Sequence, residues 1–187
     1  MMRNRKGLSF FEILVVVMLM GLLGTLALPQ FLHVKTKRMN QEAIKMMMAT
    51  LFEAKQKAKY LGKDVYVTFI SDSFQGRPDL SGRAMLLVTA KEGHLKRLGE
   101  WIRLPSDVYF ENKKAFFTEK GFHILVQLEN ENGIGFSVSL PSICFKAKSG
   151  RLVLAGALTS TDIYLEGGDS LIHLDEVENR FKVSHES

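Results

Sequence analysis

One cysteine, Cys144, is all that the 187 residues contain, so no disulfide can form within the chain. It sits in the apolar context SICFKA, the setting of a buried structural thiol rather than a reactive one. The spacings that announce catalysis are missing: no CxxC, HExxH, GxxxxGK or GxSxG occurs. None of the histidines, His33, His94, His123, His173 and His185, stands at metal-ligand spacing from another. The reading is of a chain with no catalytic residues, no metal and no cofactor, and not of an enzyme. A general excess of positive charge is missing as well. The formal charge is +5, but Arg3, Arg5 and Lys6 precede Gly7, which leaves +2 for the remainder. Such a balance gives no strong general pull toward nucleic acid or anionic lipid.

What the chain does have is one long apolar run. From Leu8 to Leu28 the only ionisable side chain is Glu12. About 21 residues of helix span about 31 Å, the thickness of a bilayer core. The cations before the run favour keeping its front in the cytoplasm, although Lys35, Lys37 and Arg38 follow it on the other side. A cleaved secretory signal would have a shorter apolar core and a small-residue cleavage site, which TLALPQF does not supply. A plain signal anchor explains the length but leaves Glu12 unexplained. An acid in a membrane helix costs about 2.5–3.5 kcal/mol at the centre and less near an end, so it calls for a partner. If the chain were cut after Gly7, Leu8 would carry a free amine and Glu12 would be the fifth residue, one turn into a helix. There the helix dipole favours a carboxylate. In a parallel bundle, the Glu12 of one chain could meet the amine of a neighbour, neutralising both charges and fixing the axial register.

KGLSFFEILVVVMLMGLLGTLALPQF resembles the class III signal of type IV prepilins and type II secretion pseudopilins. The resemblance implies a basic leader ending at Gly7, cut by a membrane-embedded prepilin peptidase that then methylates the amine of Leu8. It implies that Glu12 serves assembly and that Pro29 kinks the helix near the end of the apolar run. Leu8 departs from the phenylalanine that most often begins the mature chain of this family. Metal is not implied: the acidic stretches EGGDS and HLDEVE lack the clustered oxygens of the calcium loop found in major pseudopilins.

Beyond Pro29, Ile44, Met47, Met48, Leu51, Ala54, Ala58 and Leu61 recur at steps of three and four, while Lys45, Glu53, Lys55, Lys57 and Lys59 fill other faces. This is an amphipathic helix with one face for a core, and Gly62 is a natural stop. Met46–Met48 point around the helix rather than to one place, so they read as packing and not as metal ligands. From Asp64 the period changes. DVYVTFI, RAMLLVTA, HILVQLE, GFSVSL, RLVLAGAL, TDIYLEG and RFKVSHE are short strand-like runs, separated by SFQGRPDLSG, ENENG, AKSG and EGGDS. Mostly antiparallel strands after a long helix predict an α+β fold, with the helix laid on a sheet. The expected division is a leader over residues 1–7, a hydrophobic helix over 8–28, its amphipathic continuation over 29–62 and a β-rich soluble domain over 63–187.

Within the pilin family, ATLFEAKQKAKYLGKDVYVTF, EWIRLPSDVYF, FSVSLPSICFKAKSGRLVLAG and IHLDEVENRFKVSHE resemble GspH/FimT-like minor pseudopilins in their order of helix, tryptophan strand followed by Leu-Pro and another strand in SDVYF, late strand–loop–strand and closing hairpin. The resemblance implies a pilin-like fold and a minor subunit of a bacterial type II secretion pseudopilus, which serves protein export. The subunit would be single-pass in the inner membrane with its soluble domain outside the cytoplasm, and part of a filament after assembly. Implied partners are the prepilin peptidase, other pseudopilins or pilins in a helical filament, the inner-membrane assembly platform and membrane lipid. The alternative is a FimT-like type IV minor pilin at the pilus tip, acting in DNA uptake or adhesion. The basic surface of KTKR with Lys45, Lys55, Lys57 and Lys59 is where DNA would bind. It reads instead as a solvated or headgroup-facing surface, because charge is near balance and no aromatic residue is interleaved.

Overall fold

A computed structural model of the chain describes residues 10–70, 77–91, 94–111, 114–119, 123–129, 135–154, 160–166, 168 and 170–185. It divides into two compact units, Met1–Arg38 and Met39–Ser187. A single helix, α1 (Phe10–Leu61), runs from the first into the second.

In the unit Met39–Ser187 most of the helical face expected from the periodicity is buried: Ile44, Met47, Leu51, Ala54 and Ala58 enter the core, and Ala43 joins them. Two members of the predicted stripe do not. Met48 is only partly buried, and Leu61, the last residue of α1, is exposed. Gly62 ends the helix with φ +62°, the left-handed conformation that glycine adopts at least cost. The carbonyl of Ala58, in the last turn, accepts the Lys148 N–H at 3.1 Å, so this helix end is closed by a loop from elsewhere in the chain.

The helix packs on antiparallel strands, which makes the fold α+β. The larger sheet runs β3 (His94–Arg97), β2 (Ala84–Lys91), β1 (Val65–Ile70), β6 (Gly135–Phe145), β5 (His123–Glu129). A two-residue strand, β4 (Ile102–Arg103), pairs with β2, and β7 (Leu152–Leu154) pairs with β6. The smaller sheet is β10 (Arg180–His185), β9 (Ser170–Asp175), β8 (Ser160–Tyr164). Its Ile163, Ile172 and Leu174 join the same core as the helix. A short helix, α2 (Ala115–Thr118), contributes Phe116 and Phe117. Their rings meet that of Phe69 edge-on at 5.3 and 6.3 Å, and Phe110 meets Phe69 at 5.5 Å, the arrangement aromatic quadrupoles prefer.

Three features depart from the sequence reading. The central strands β1 and β2 of the larger sheet are buried on both faces. Val65, Val67 and Phe69 of β1 face the helix core, while Ile70 and Tyr66 join a second cluster with Leu86, Val88, Val126 and Leu140. The end strands β3 and β5 approach each other, so the sheet curls around that second cluster and needs no second helix to cover it. The run GFSVSL is only the first part of β6, which continues through Pro141. The strand changes partners there, pairing with β5 over Gly135–Pro141, with β1 over Ser142–Phe145 and with β7 over Ile143–Phe145. A residue without an N–H is tolerated at such a handover. Finally, SDVYF forms no strand. Asp107 takes φ 67° and only Phe110 makes a bridge, to Leu165. That bridge, with Glu111 N–H to Tyr164 O and Glu166 N–H to Tyr109 O, ties this loop to the smaller sheet.

The hairpin between β6 and β7 lies against α1 at Gly150, where φ is +62°. A Cβ there would fall 2.8 Å from Lys59 Cε and 3.1 Å from the backbone oxygen of Lys55. At Gly62, with the same φ, the nearest atom would be Lys148 Cγ at 4.0 Å. Gly62→Ala should therefore cost only the left-handed conformation, about 1 kcal/mol. Gly150→Ala adds displacement of a helix backbone and should cost at least about 1 kcal/mol more. Chemical denaturation of the two variants side by side measures the difference, and equal losses would mean that the hairpin does not seat on the helix.

Candidate functional site: the exposed apolar helix and its surroundings

The apolar part of α1 differs from the rest of the helix in what surrounds it. Phe10 and Phe11 are exposed, as are Ile13 to Met20, Leu22 and Leu23. These side chains point to every side of the helix, so no single core could take them all. A Cβ added at Gly21 or Gly24 would meet nothing within 4 Å. Nothing among the described residues therefore accounts for glycine at two positions where alanine would favour the helix by about 1 kcal/mol each. Glu12 stands in the first turn of α1, where a carboxylate complements the dipole, and it is exposed. Gly7, Leu8 and the Pro29 side chain lie outside the described residues; the backbone of α1 is helical without a break from Phe10 to Leu61. Among the described residues no helix is long and apolar enough to cross a membrane. The described side chains of the apolar run stop at Thr25, and Leu26, Ala27 and Leu28, which complete the run in the sequence, lie outside them.

Several titratable groups of the unit Met39–Ser187 hold its structure together. Cys144 is buried opposite Tyr66 on the neighbouring strand. Burial is the main reason its thiol is pushed up to about 11, with the Asp64 carboxylate adding to the effect. The thiol is then protonated at neutral pH and is no nucleophile. Alkylation by iodoacetamide near pH 8 should be slow in the native protein and rapid in denaturant. Equal rates would place the sulfur at the surface. Asp64 is ion-paired with Lys146 at 2.9 Å and accepts the Ala147 N–H at 2.8 Å. Burial works to raise its pKa, but the Lys146 hydrogen bond and charge and the Ala147 N–H together hold it below the usual value.

His173 Nδ1 lies 2.7 Å from Asp162 Oδ1, its cross-strand neighbour. His123 Nδ1 lies 3.0 Å from the Glu119 carbonyl. Among the described residues no group of three His, Cys, Asp or Glu could hold a metal. In the acidic turn between β9 and β10, Glu176 Oε2 accepts the Leu154 N–H at 2.9 Å and Asn179 Oδ1 accepts the Leu152 N–H at 2.7 Å. These side chains pair with the backbone of β7, so HLDEVE is a clasp between the sheets. Lys55, read from sequence as part of a solvated face, reaches the Asn179 carbonyl at 3.4 Å and lies over the Phe181 ring.

One feature of the basic surface was overlooked in the sequence. Tyr60 lies between Lys59 and Lys63 and is exposed, so an aromatic residue is interleaved after all. The signal was the string KAKYLGK, in which a tyrosine and a leucine interrupt the lysines where the core periodicity ends.

No family model matches the chain, and neither a curated protein nor a solved structure does.

Proposed function

We propose that the chain is a minor pseudopilin or pilin subunit, built into the filament of a type II secretion system through its N-terminal helix. The supporting observation is the double character of α1. From Met39 onward the helix gives one face to an α+β core; over Phe10 to Leu23 it carries exposed apolar side chains on all sides, with one acid near its start. Such a surface is stable only against lipid or against other apolar helices. In this reading the chain waits in the bacterial inner membrane with its β-rich domain outside the cytoplasm. Prepilin peptidase cuts between Gly7 and Leu8 and methylates the new amine. The assembly platform then moves the subunit from lipid into a bundle of like helices. There Gly21 and Gly24 admit a neighbouring backbone, and Glu12 meets a neighbour's amine. The protein does no chemistry of its own.

Glu12→Ala separates insertion from assembly. Removing the acid eases entry into lipid, so membrane recovery and cleavage should match the parent. Assembly loses the partner of a buried amine, and breaking such a pair costs about 3–5 kcal/mol. Co-purification with partner pilins should fall by at least about tenfold. Equal recovery of partners by parent and variant would remove the pairing role from Glu12.

A further inference from the structure

Tyr60 is 91% exposed and Leu61, beside it at the end of α1, is 42% exposed. The large aromatic rings Phe69, Phe110, Phe116 and Phe145 of the same unit are fully buried. Exposed cations accompany the pair: Lys59 and Lys63 flank it in sequence, and the β6–β7 hairpin that packs on this helix end carries the exposed Lys148 and Arg151. The hairpin is brought there by the Lys148 N–H on the Ala58 carbonyl, by Lys148 Cγ beside Gly62 and by the Lys59 side chain across Gly150. The acids nearest in sequence are engaged elsewhere, Asp64 with Lys146 and Glu53 with Lys57. An exposed tyrosine and an exposed leucine thus stand at a helix end where two segments bring exposed cations.

We infer that this end of α1 docks on an anionic phospholipid surface, with Tyr60 and Leu61 at the headgroup boundary and Lys59, Lys63, Lys148 and Arg151 on phosphates. A tyrosine has the amphipathic ring that settles at a membrane interface. Each cation held near an anionic leaflet raises partitioning by about fivefold, and the effect fades beyond a Debye length. A single-stranded nucleic acid would use the same cations, but it takes successive aromatic platforms along a groove. Here there is one ring, paired with an aliphatic side chain that cannot stack on a base and that suits the acyl boundary. The inference does not depend on filament assembly, since it concerns a surface of the folded unit alone.

The apolar N-terminal run would itself enter any vesicle, so the test reads capture between vesicles. The full chain is reconstituted in phosphatidylcholine vesicles and offered a second, protein-free population of labelled vesicles. These are either pure phosphatidylcholine or contain about 30 mol % phosphatidylglycerol, at about 0.1 M salt. The anionic population should be captured at least about tenfold better. Lys148→Glu with Arg151→Glu should return capture to the neutral level, and about 0.5 M salt should do the same. Tyr60→Ser, with charge unchanged, should lower capture by about threefold or more. Lys63→Glu with Arg151→Glu is a second pair that should give the same loss should the first pair alter folding. Equal capture of both populations would overturn the inference, as would capture indifferent to both charge-reversed pairs or to Tyr60→Ser. Tighter binding of a single-stranded oligonucleotide than of the anionic vesicles, lost in Tyr60→Ser, would also overturn it and assign the surface to nucleic acid.

Discussion

Leu51→Asp is expected to unfold the unit Met39–Ser187. Leu51 is 1% exposed and lies in the main core with Met47 and Ala54 of α1 and with strands of both sheets. Replacing it by aspartate removes a buried side chain worth about 1.5–3 kcal/mol. It also puts a carboxylate where water cannot reach, which the protein meets by protonating the acid, admitting water or unfolding. Together these should cost at least about 4 kcal/mol, a large share of the about 5–15 kcal/mol that holds a domain together. In a soluble fragment from about Thr36 onward, a melt followed by circular dichroism should shift down by about 10–15 °C or vanish. Lys45→Asp, on the exposed face of the same helix, should melt within a few degrees of the parent. Lys55→Asp is no such control, because Lys55 joins the helix to the β9–β10 turn and to Phe181. A Leu51→Asp fragment that melts like the parent would mean that the helix is not part of this core.

The second large effect concerns processing. Gly7→Glu should leave the leader attached in essentially every molecule. In the proposed reading Gly7 is the position ahead of the cut, where a peptidase fitted to a residue without a side chain would have no room for a carboxylate. The unprocessed chain keeps Arg3, Arg5 and Lys6 ahead of the apolar run. In a helical bundle those charges would have to be buried or dragged across the bilayer, each at a cost of about 2.5–3.5 kcal/mol. The variant should therefore reach the membrane, remain full length and fail to co-purify with partner pilins. Normal recovery of partners by an uncut chain would show that assembly does not require processing.

The sequence revealed most about elements whose pattern repeats. The stripe Ile44–Met47–Leu51–Ala54–Ala58 keeps helical spacing over four turns, and Gly62 closes it where a left-handed residue is needed. The runs DVYVTFI, RAMLLVTA, HILVQLE and IHLDEVENRFKVSHE fall on β1, β2, β5 and the β9–β10 hairpin. Long-range effects were hidden. That β1 and β2 are buried on both faces follows from the sheet curling, which no local run encodes. SDVYF has the composition of a strand, yet it lacks a neighbour over most of its length and makes one bridge. The work of Glu176, Asn179 and Lys55 depends on β7 and α1 lying close to the β9–β10 turn, contacts far apart in sequence. In the N-terminal segment cations, glycine, a spaced acid and an apolar run stand in order, and the proposed processing signal rests on that order alone. That the β6–β7 hairpin meets the helix end beside Tyr60 was hidden, since the Lys148 N–H on the Ala58 carbonyl comes from about 90 residues further on.

The intact mass of the chain, purified from the membranes of a host with an active prepilin peptidase, tests the central claim most directly. A pilin-like subunit should have lost Met1–Gly7 and gained a single methyl group on Leu8, and the same preparation of Gly7→Glu should show the full-length mass. A parent chain that keeps its leader under these conditions, or one cut at a site other than Gly7–Leu8, would contradict the account.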